Sequence, residues 1–339
     1  MQTAMLARRG ARLFSLGGRH VRGLSGQSVG FVGLGKIGSG MAGNLTKAGA
    51  AVFAHDPSEA SLAHAVDVAG VTAAADLADV ARQARVVLTA VPNDAVLGAV
   101  AEELLPALAS RGDEAVHVSC STVSPAISRD LALRHAERGV GYVSAPVFAR
   151  PDGMRRGEAT IPISGPGWAK AVARPVLEQT SLGVHDFGED AGAANVVKLG
   201  GNFLIAAAIE SLGEASALCE SHGVDREQFV TLMSSTIFDC LIYRGYGHRV
   251  STRDHHPHVD AHFALDLGSK DVALVREAAR RAGCPMPLAS LLCDRFLASQ
   301  SRGRGSLDWS AVALLASEDA GSPAVREAIK QLLPEVASP

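Results

Sequence analysis

The chain has 339 residues, is 47% hydrophobic and carries a formal net charge of −3 at pH 7. This length and apolar content predict a folded protein of two domains and argue against intrinsic disorder. The small net charge with scattered basic residues offers no electrostatic footprint for nucleic acid, and no apolar run approaches the roughly 18 residues of a membrane span. Neither nucleic acid nor a membrane is therefore an expected partner.

The first 25 residues predict a targeting segment. They contain five arginines, two serines and no carboxylate, and the run Arg22-Gly23-Leu24-Ser25 resembles a processing site. Arg-rich, acid-poor N-termini are typical of organelle transit peptides. Residues 1–25 are therefore expected to direct the protein to the mitochondrion, with a plastid as the next choice. A disordered basic terminus on a cytoplasmic protein is the alternative.

Residues 28–190 predict a dinucleotide-binding domain. Short β-branched runs alternate there with Ala-rich helical stretches, as in a parallel sheet that is flanked by helices. The expected strands are Val29–Val32, Ala51–Ala54, Val86–Ala90, Ala115–Ser119, Gly141–Val143 and Thr160–Ser164.

Residues 191–335 predict an all-helical domain for substrate binding and dimerisation. No strand is expected from Asn195 onward, and residues 195–222 have the periodicity of one long helix between the domains. The predicted fold class is α/β, with an N-terminal Rossmann-type parallel sheet followed by an all-α C-terminal domain. The long Ala-rich helix is expected to expose an apolar face, which predicts a homodimer or a higher homo-oligomer.

The run Gly33-Leu34-Gly35-Lys36-Ile37-Gly38 follows the first expected strand and opens a helix. In that position the first glycine permits a tight turn, the second lets the backbone approach a pyrophosphate, and the third packs the helix against the strand. The amides at the helix N-terminus suit a diphosphate. The loop therefore predicts a nicotinamide dinucleotide cofactor.

Asp56 lies about 20 residues beyond this loop, after the next expected strand. A carboxylate at this point can accept hydrogen bonds from the adenosine ribose and repels a 2′-phosphate. NAD is therefore favoured as the cofactor, with NADP possible. The alternative for Asp56 is an ordinary turn residue before Pro57.

Residues 33–45, GLGKIGSGMAGNL, resemble the opening motif of the β-hydroxyacid dehydrogenase family. This family includes 3-hydroxyisobutyrate dehydrogenases and several semialdehyde reductases. Further motifs follow in the family's order: Val91-Pro92, Ser121-Thr122-Val123, Lys198 with Asn202, and residues 263–271, FALDLGSKD. The resemblance extends from Ser28 to about Pro323. It implies NAD(P)-dependent hydride transfer between the nicotinamide and a hydroxyacid or semialdehyde.

The resemblance also implies roles for the motif residues. Those expected around the nicotinamide and its ribose are Val91, Pro92, Val96 and Thr122, and Lys270 is expected to close over the cofactor from the second domain. Thr122, Phe263 and Asp271 are expected beside the substrate.

Lys198 is the expected acid/base. Hydride transfer between an alcohol and a carbonyl requires a group that takes or gives the hydroxyl proton, and a partly desolvated lysine can do so when its pKa falls toward neutrality. Asn202, four residues later on the same helix face, could bind the same ligand or hold the lysine head group. An ordinary solvated lysine is the alternative, but the chain has only six lysines, and two of them lie at motif positions.

The substrate loop departs from the family pattern Asp-Ala-Pro-Val-Ser-Gly-Gly, whose serine and glycine amides hold a carboxylate. Phe148 replaces the serine, and Ala149 and Arg150 replace the glycines. The phenyl ring removes a hydrogen-bond donor and adds apolar bulk, which puts small carboxylate substrates in doubt. Arg150 either anchors an anion or is a surface arginine.

Three functions stay open at this point. The first is a hydroxyacid dehydrogenase or semialdehyde reductase. The second is a reductase of bulkier carbonyls or imines, although the imine-reducing branch of the family commonly lacks the lysine. The third is a cofactor-binding sensor or scaffold without catalysis.

No metal site is expected. The His-rich run from Asp254 to His262 contains ligand types but is interpreted as a polar loop, and the five cysteines have no metal-ligand or CxxC spacing. The cysteines predict reduced thiols in an intracellular protein. Trp309 and the tyrosines between 243 and 246 are expected either to pack in the core or to line a substrate pocket.

Overall fold

The computed structural model describes residues 23–255 and 262–333, and in it an α/β part is followed by a helical part, as predicted. The six strands of the main sheet are β1 (Ser28–Val32), β2 (Ala51–His55), β3 (Thr72–Ala73), β4 (Val86–Thr89), β5 (Val116–Ser119) and β6 (Gly141–Ser144). All are parallel, in the order β3-β2-β1-β4-β5-β6. This is the doubly wound order of dinucleotide-binding sheets.

Helices cover both faces of this sheet. They are α1 (Gly38–Lys47), α2 (Glu59–Ala69), α3 (Leu77–Gln83), α4 (Asp94–Arg111) and α5 (Pro125–Ala136). Phe31 and Leu88 pack on one face, and Val87 and Leu104 pack on the other. Strands β4, β5 and β6 are buried at every residue, which explains why they appear in the sequence as short continuous apolar runs.

A second, two-stranded parallel sheet contains β7 (Ala159–Ile163) and β8 (Ser181–Asp186), next to α6 (Pro151–Arg155) and α7 (Gly167–Glu178). The sequence analysis placed residues 160–164 in the main sheet and missed β3 and β8. β3 has two residues, and β8 is partly exposed and contains Gly183, so neither has the apolar run of a buried strand. The other strand ends differ from the predicted ones by one residue.

The predicted targeting segment lies mostly outside the described residues. Leu24, however, is 1% exposed, packs in the core of the α/β part, and donates its N–H to the Ala48 carbonyl at 2.9 Å. Leu24 therefore packs as part of the folded domain. The targeting segment and its end at residue 25 stay predictions.

Two buried histidines, His117 on β5 and His135 on α5, form a continuous chain of hydrogen bonds. His135 Nδ1 lies 2.7 Å from the Leu131 carbonyl, His117 Nδ1 lies 3.0 Å from His135 Nε2, and Thr89 Oγ1 lies 3.0 Å from His117 Nε2. Because the carbonyl can only accept, His135 Nδ1 carries a proton. Burial lowers the pKa of His135 to about 4 and that of His117 well below its usual value, so both rings are neutral near pH 7. With neutral rings, His117 Nδ1 donates to His135 Nε2 and the Thr89 hydroxyl donates to His117 Nε2.

The helical part begins with α8 (Ala193–Ser221), close to the predicted residues 195–222. Around α8 lie α9 (Arg226–Ser235), α10 (Leu241–Thr252), α11 (Leu265–Arg281), α12 (Pro287–Gln300), a 3-10 helix (Trp309–Ala313), α13 (Leu314–Asp319) and α14 (Pro323–Leu332). Ile209 of α8 shares a core with Phe296 and Trp309. Beyond α8, the described part of the chain contains no strand, only an isolated bridge between Ala264 and Asp308.

Helix α8 is long and apolar enough, by length and composition alone, to cross a membrane, with a mean hydropathy of 1.3. No such segment was expected, because the sequence has no uninterrupted apolar run of about 18 residues. Core helices pass the same test, and α8 carries Lys198, Asn202 and Glu210 buried inside the protein. The absence of a membrane partner stays a prediction.

Candidate active site

A cleft of about 1230 Å³ opens at the carboxyl ends of β1, β4 and β5 and is closed on its other side by α8, α10 and the start of α11. The sheet order reverses between β1 and β4, where doubly wound folds bind their ligands. The cleft therefore lies where the sequence places a cofactor.

The glycine loop forms one end of this cleft. Gly33 has φ +90°, and a Cβ added to it would collide with the Ala90 carbonyl, while one added to Gly38 would collide with the Gly33 carbonyl. A Cβ on Gly35 would have nothing within 4 Å, since Gly35 faces the open cleft. Gly33 thus permits the turn, Gly35 leaves the backbone open to a ligand, and Gly38 permits the close contact between the helix and the loop. The predicted cofactor residue Leu34 is 3% exposed, and its side chain packs in the core instead.

Helix α1 begins at this loop without a side-chain cap, because its N-cap residue is Ile37. The next four helices are each capped by a side chain, from Ser58, Asp76, Asn93 and Ser124. The Ser39 N–H donates to the Gly35 carbonyl at 2.9 Å, and no side chain caps the amides of the first turn, so this helix N-terminus is open to a diphosphate. With Lys36 also lining the cleft, the residues present fit the pyrophosphate of a dinucleotide.

Asp56 follows β2 and lines the cleft. Its carboxylate accepts hydrogen bonds from the Leu34 N–H at 2.6 Å and the Ser58 N–H at 2.8 Å. A carboxylate has about four acceptor sites, so capacity remains for ribose hydroxyls. Asp56 thus both fixes the glycine loop and presents negative charge beside it.

The loops after β4 and β5 form the other end of the cofactor cleft, which Val91, Pro92, Val96 and Thr122 line. Ser121, which the sequence analysis quoted in a motif without assigning it a role, joins the two loops, since its Oγ accepts the Val91 N–H at 2.8 Å. Lys270 Nζ donates from α11 to the carbonyls of Pro92 at 3.1 Å and Thr122 at 2.7 Å. Lys270 therefore connects the helical part to both loops.

Lys198 and Asn202 lie in the cleft at the head of a buried network. Lys198 Nζ donates to Asn202 Oδ1 at 3.0 Å, and Asn202 Nδ2 donates to Asp271 Oδ2 at 2.5 Å. The other Asp271 oxygen is 3.0 Å from Lys270 Nζ. Because Asp271 can only accept, it fixes the Asn202 amide with its oxygen toward Lys198. The expectation that Asp271 contacts substrate is wrong: it is 0% exposed and lies behind Asn202.

Burial gives Lys198 the properties of a proton carrier. The side chain is 8% exposed, and desolvation lowers its pKa to about 8. Asp271 opposes this shift and Lys270 adds to it. The amine and the ammonium are then both accessible near neutral pH, as general acid–base catalysis requires.

Phe148, Ala149, Arg150 and Phe263 line the remaining end of the cleft. The centre of the Phe148 ring is 4.3 Å from Lys198 Nζ. Arg150 donates to the Leu241 carbonyl at 3.1 Å and lies 5.1 Å from the centre of the Tyr246 ring. Its guanidinium fills the space that a side chain at Gly245 would occupy. Arg150 is thus held against α10 rather than lying free on the surface.

Besides Lys198 and Arg150, aromatic and aliphatic side chains line this part of the cleft. Tyr246 and Trp309 are buried and line the cleft, so both interpretations of them hold, as packing residues and as pocket lining. Further lining residues that the sequence analysis missed are Ile205, Leu241, Ile242 and Leu267. Their sequence signal was that of ordinary helix residues, and only the packing of the helices turns them toward the cleft.

The His-rich segment is described only at its ends, because residues 256–261 lie outside the described part. His255 is buried, with Nδ1 2.9 Å from the Ser310 hydroxyl, which donates to Asp308. Asp308 also accepts the His262 N–H at 3.0 Å. In residues 23–255 and 262–333, no group of three or more His, Cys, Asp or Glu side chains is placed to hold a metal ion.

Comparisons with known proteins bear on both parts of the chain. A family model described as the NAD binding domain of 6-phosphogluconate dehydrogenase matches residues 28–188. A second, described as NAD-binding of NADP-dependent 3-hydroxyisobutyrate dehydrogenase, matches residues 192–316. The chain is 32% identical to an uncharacterized oxidoreductase, YfjR, of Bacillus subtilis over 84% of this chain and 98% of that protein.

Two further relatives have more specific names. The chain is 30% identical to 2-(hydroxymethyl)glutarate dehydrogenase of Eubacterium barkeri, over 84% of this chain and 93% of that one. The crystal structure of 3-hydroxyisobutyrate dehydrogenase from Salmonella typhimurium matches with a TM-score of 0.75 and 25% identity, over 85% of this chain and 99% of that chain.

Proposed function

Because the chain belongs to the β-hydroxyacid dehydrogenase family of NAD(P)-dependent oxidoreductases, we propose that Lys198 is the acid/base of its hydride-transfer reaction. The observation that carries this proposal is the buried network Lys198–Asn202–Asp271–Lys270, which holds a lysine of lowered pKa at the cleft. The reaction interconverts a hydroxyl and a carbonyl group on a small-molecule substrate.

The bound nicotinamide supplies the chemistry of giving or accepting a hydride. In the oxidation direction the neutral amine of Lys198 accepts the hydroxyl proton, and Asn202 Oδ1 then accepts a hydrogen bond from the ammonium. In the reduction direction the ammonium donates that proton to the carbonyl oxygen. Asp271 maintains the orientation of Asn202, and Lys270 fixes the two loops beside the nicotinamide.

For the cofactor, NAD is favoured over NADP by Asp56. Its carboxylate faces the cleft beside the glycine loop, where the negative charge opposes a 2′-phosphate. Titration of the protein with NADH and NADPH, followed by nicotinamide fluorescence, should give the lower Kd for NADH. A lower Kd for NADPH would contradict this choice.

A hydroxyacid or semialdehyde is the substrate class that the relatives support. The aromatic and aliphatic walls around Phe148 favour, as a second candidate, a carbonyl compound with a bulkier and less anionic arm. An imine is less favoured because Lys198 is present as a proton donor suited to a carbonyl oxygen. A panel of hydroxyacids, semialdehydes, apolar aldehydes and cyclic imines, assayed with NAD(H) and NADP(H), separates these candidates.

A homodimer is supported by the surface of α8. Val196, Leu204 and Leu218 are 50%, 67% and 62% exposed, and their helical spacing places them on one side of the helix. Apolar stripes of this kind commonly mark contacts between subunits. Light scattering at micromolar concentration should give twice the monomer mass, and the monomer mass would contradict the proposal.

Import into mitochondria is supported by the Arg-rich, carboxylate-free composition of residues 1–22, and Leu24 beyond them packs in the core of the α/β part. The mature chain should therefore begin at or before Gly23. N-terminal sequencing of protein recovered from mitochondria tests this, and recovery of an unprocessed chain from the cytosol would refute it.

A further inference from the structure

The backbone of the substrate loop is fixed at Phe148. Its N–H donates to the Thr160 carbonyl at 3.0 Å, and its carbonyl accepts the Thr160 N–H at 3.0 Å. The amide at this position is therefore already bonded and does not point at a ligand. Since the side chain has no donor either, residue 148 offers nothing to a carboxylate.

The Phe148 ring packs directly on α8 at Gly201. A Cβ built on Gly201 would lie 2.5 Å from both Cε1 and Cζ of the ring, closer than carbon atoms can approach. The neighbouring Gly200 is exposed, and a Cβ there would have nothing within 4 Å. Glycine costs a helix roughly 1 kcal/mol relative to alanine. At Gly201 the ring occupies the space of the missing side chain, whereas Gly200 has no such contact.

The ring also lies beside Lys198, with its centre 4.3 Å from Nζ. The space next to the reacting carbon is therefore bounded by an aromatic surface, and it continues along the side chains of Ile205, Phe263 and Trp309. An apolar arm on the substrate would be desolvated favourably there, whereas a carboxylate would lose its hydration without gaining a partner from residue 148.

We propose that Gly201 and Phe148 together determine substrate specificity: Gly201 admits the phenyl ring against α8, and the ring selects substrates whose reacting carbon bears an apolar alkyl or aryl arm instead of a short carboxylate arm. This inference rests on the proposed function. Gly201 acts by positioning Phe148, and Phe148 touches the substrate.

The test compares wild-type protein with Gly201→Ala and Gly200→Ala, using succinic semialdehyde and 3-phenylpropanal as paired substrates with saturating reduced cofactor. Wild-type protein should show kcat/KM for 3-phenylpropanal at least about tenfold higher than for succinic semialdehyde. Gly201→Ala should lose that preference by about tenfold because the ring is displaced, and Gly200→Ala should keep wild-type values. Both variants gain the same helix propensity, so a difference between them reports on the ring.

Two further variants test the pair itself. Phe148→Ser should lower the ratio of kcat/KM for 3-phenylpropanal over that for succinic semialdehyde. The double variant Phe148→Ala with Gly201→Ala should have a kcat/KM no lower than that of Phe148→Ala alone, because the Cβ at residue 201 then has no ring to collide with. The melting temperature and the Kd for NADH, measured for each variant, exclude loss of the fold as the cause.

The possible outcomes separate this inference from the proposed function. Turnover that favours succinic semialdehyde in the wild type, or a Gly201→Ala variant that behaves as Gly200→Ala does, overturns the inference and leaves the proposed function standing. Failure to oxidise the reduced cofactor with any aldehyde overturns both.

Discussion

Replacing Lys198 with methionine removes the acid/base while keeping the length and apolar stem of the side chain. General acid–base catalysis contributes about 100- to 10,000-fold to a rate, so kcat should fall within that range. The fold should survive. Burial lowers the pKa of Lys198 from 10.5 to about 8. A charged lysine at this position therefore destabilises the fold by on the order of 3 kcal/mol. Methionine carries no charge, so the variant does not have this destabilisation. The predicted signature is a loss of turnover without a loss of stability.

The same lysine should set the pH dependence. Oxidation needs the neutral amine, so kcat/KM for the alcohol should rise with pH up to about 8 and then level off, whereas kcat/KM for carbonyl reduction should fall above about 8. Initial rates from the absorbance of the reduced nicotinamide measure both profiles. The Kd for NADH of the Lys198→Met variant, from fluorescence titration, should stay near the wild-type value.

Lys170 provides a matched control. Lys170 lies on α7 and is 7% exposed, but it donates to Asp186 of β8 at 2.6 Å and lies outside the cleft lining. Lys170→Met should reduce the free energy of unfolding by about 1–3 kcal/mol and leave kcat unchanged. A Lys198→Met variant that keeps turnover within about tenfold of wild type, or pH profiles without an inflection near 8, would refute the assignment.

Other predictions follow from single contacts. Asp271→Asn should move the inflection of the pH–rate profile to lower pH, because the Asp271 carboxylate raises the pKa of Lys198; an unchanged inflection would count against the network. Asp56→Asn should raise the ratio of kcat/KM for NADPH over NADH by about tenfold, since it removes a repulsion on the order of 1–4 kcal/mol at close range. An unchanged ratio would show that Asp56 does not select the cofactor. Urea unfolding should show a loss of at least about 3 kcal/mol between pH 6.5 and 4, because His135 stays neutral in the fold down to about pH 4 but is protonated below 6.5 when unfolded, and the buried His117 and His255 add to the loss in the same direction; a flat profile would contradict the neutral histidine chain. Leu24→Ala should lower the free energy of unfolding by about 2–3 kcal/mol if Leu24 is a core residue, and an unchanged urea midpoint would contradict that.

Local patterns predicted the parts of the fold that depend on local rules. The glycine loop could be placed because its turn and its close contacts admit only glycine at Gly33 and Gly38. Helix α8 could be bounded within two residues at each end because its apolar periodicity is continuous. The two-stranded sheet could not be predicted as a separate sheet, because pairing between β7 and β8 is a tertiary property.

The site was predictable as a set of residues but not as an arrangement. Asp271 and Lys270 are adjacent in sequence, yet Lys270 reaches the cofactor loops while Asp271 points back to Asn202 and is buried. Motif order cannot distinguish these directions. The contact between Phe148 and Gly201 joins residues that are distant in sequence, so nothing in the local sequence of either residue reveals it.

The central claim is that this chain uses a nicotinamide cofactor to interconvert a hydroxyl and a carbonyl group with Lys198 as the proton carrier. The most direct measurement is oxidation of NADH by wild-type protein and by Lys198→Met across a panel of semialdehydes and apolar aldehydes, with the alcohol product quantified. The wild type should form alcohol in an amount equal to the NADH that it oxidises, and the rate of NADH oxidation should be at least about 100-fold lower in the variant. NADH binding without oxidation across the whole panel, with NADPH equally inactive, would contradict it and indicate a cofactor-binding protein without catalysis.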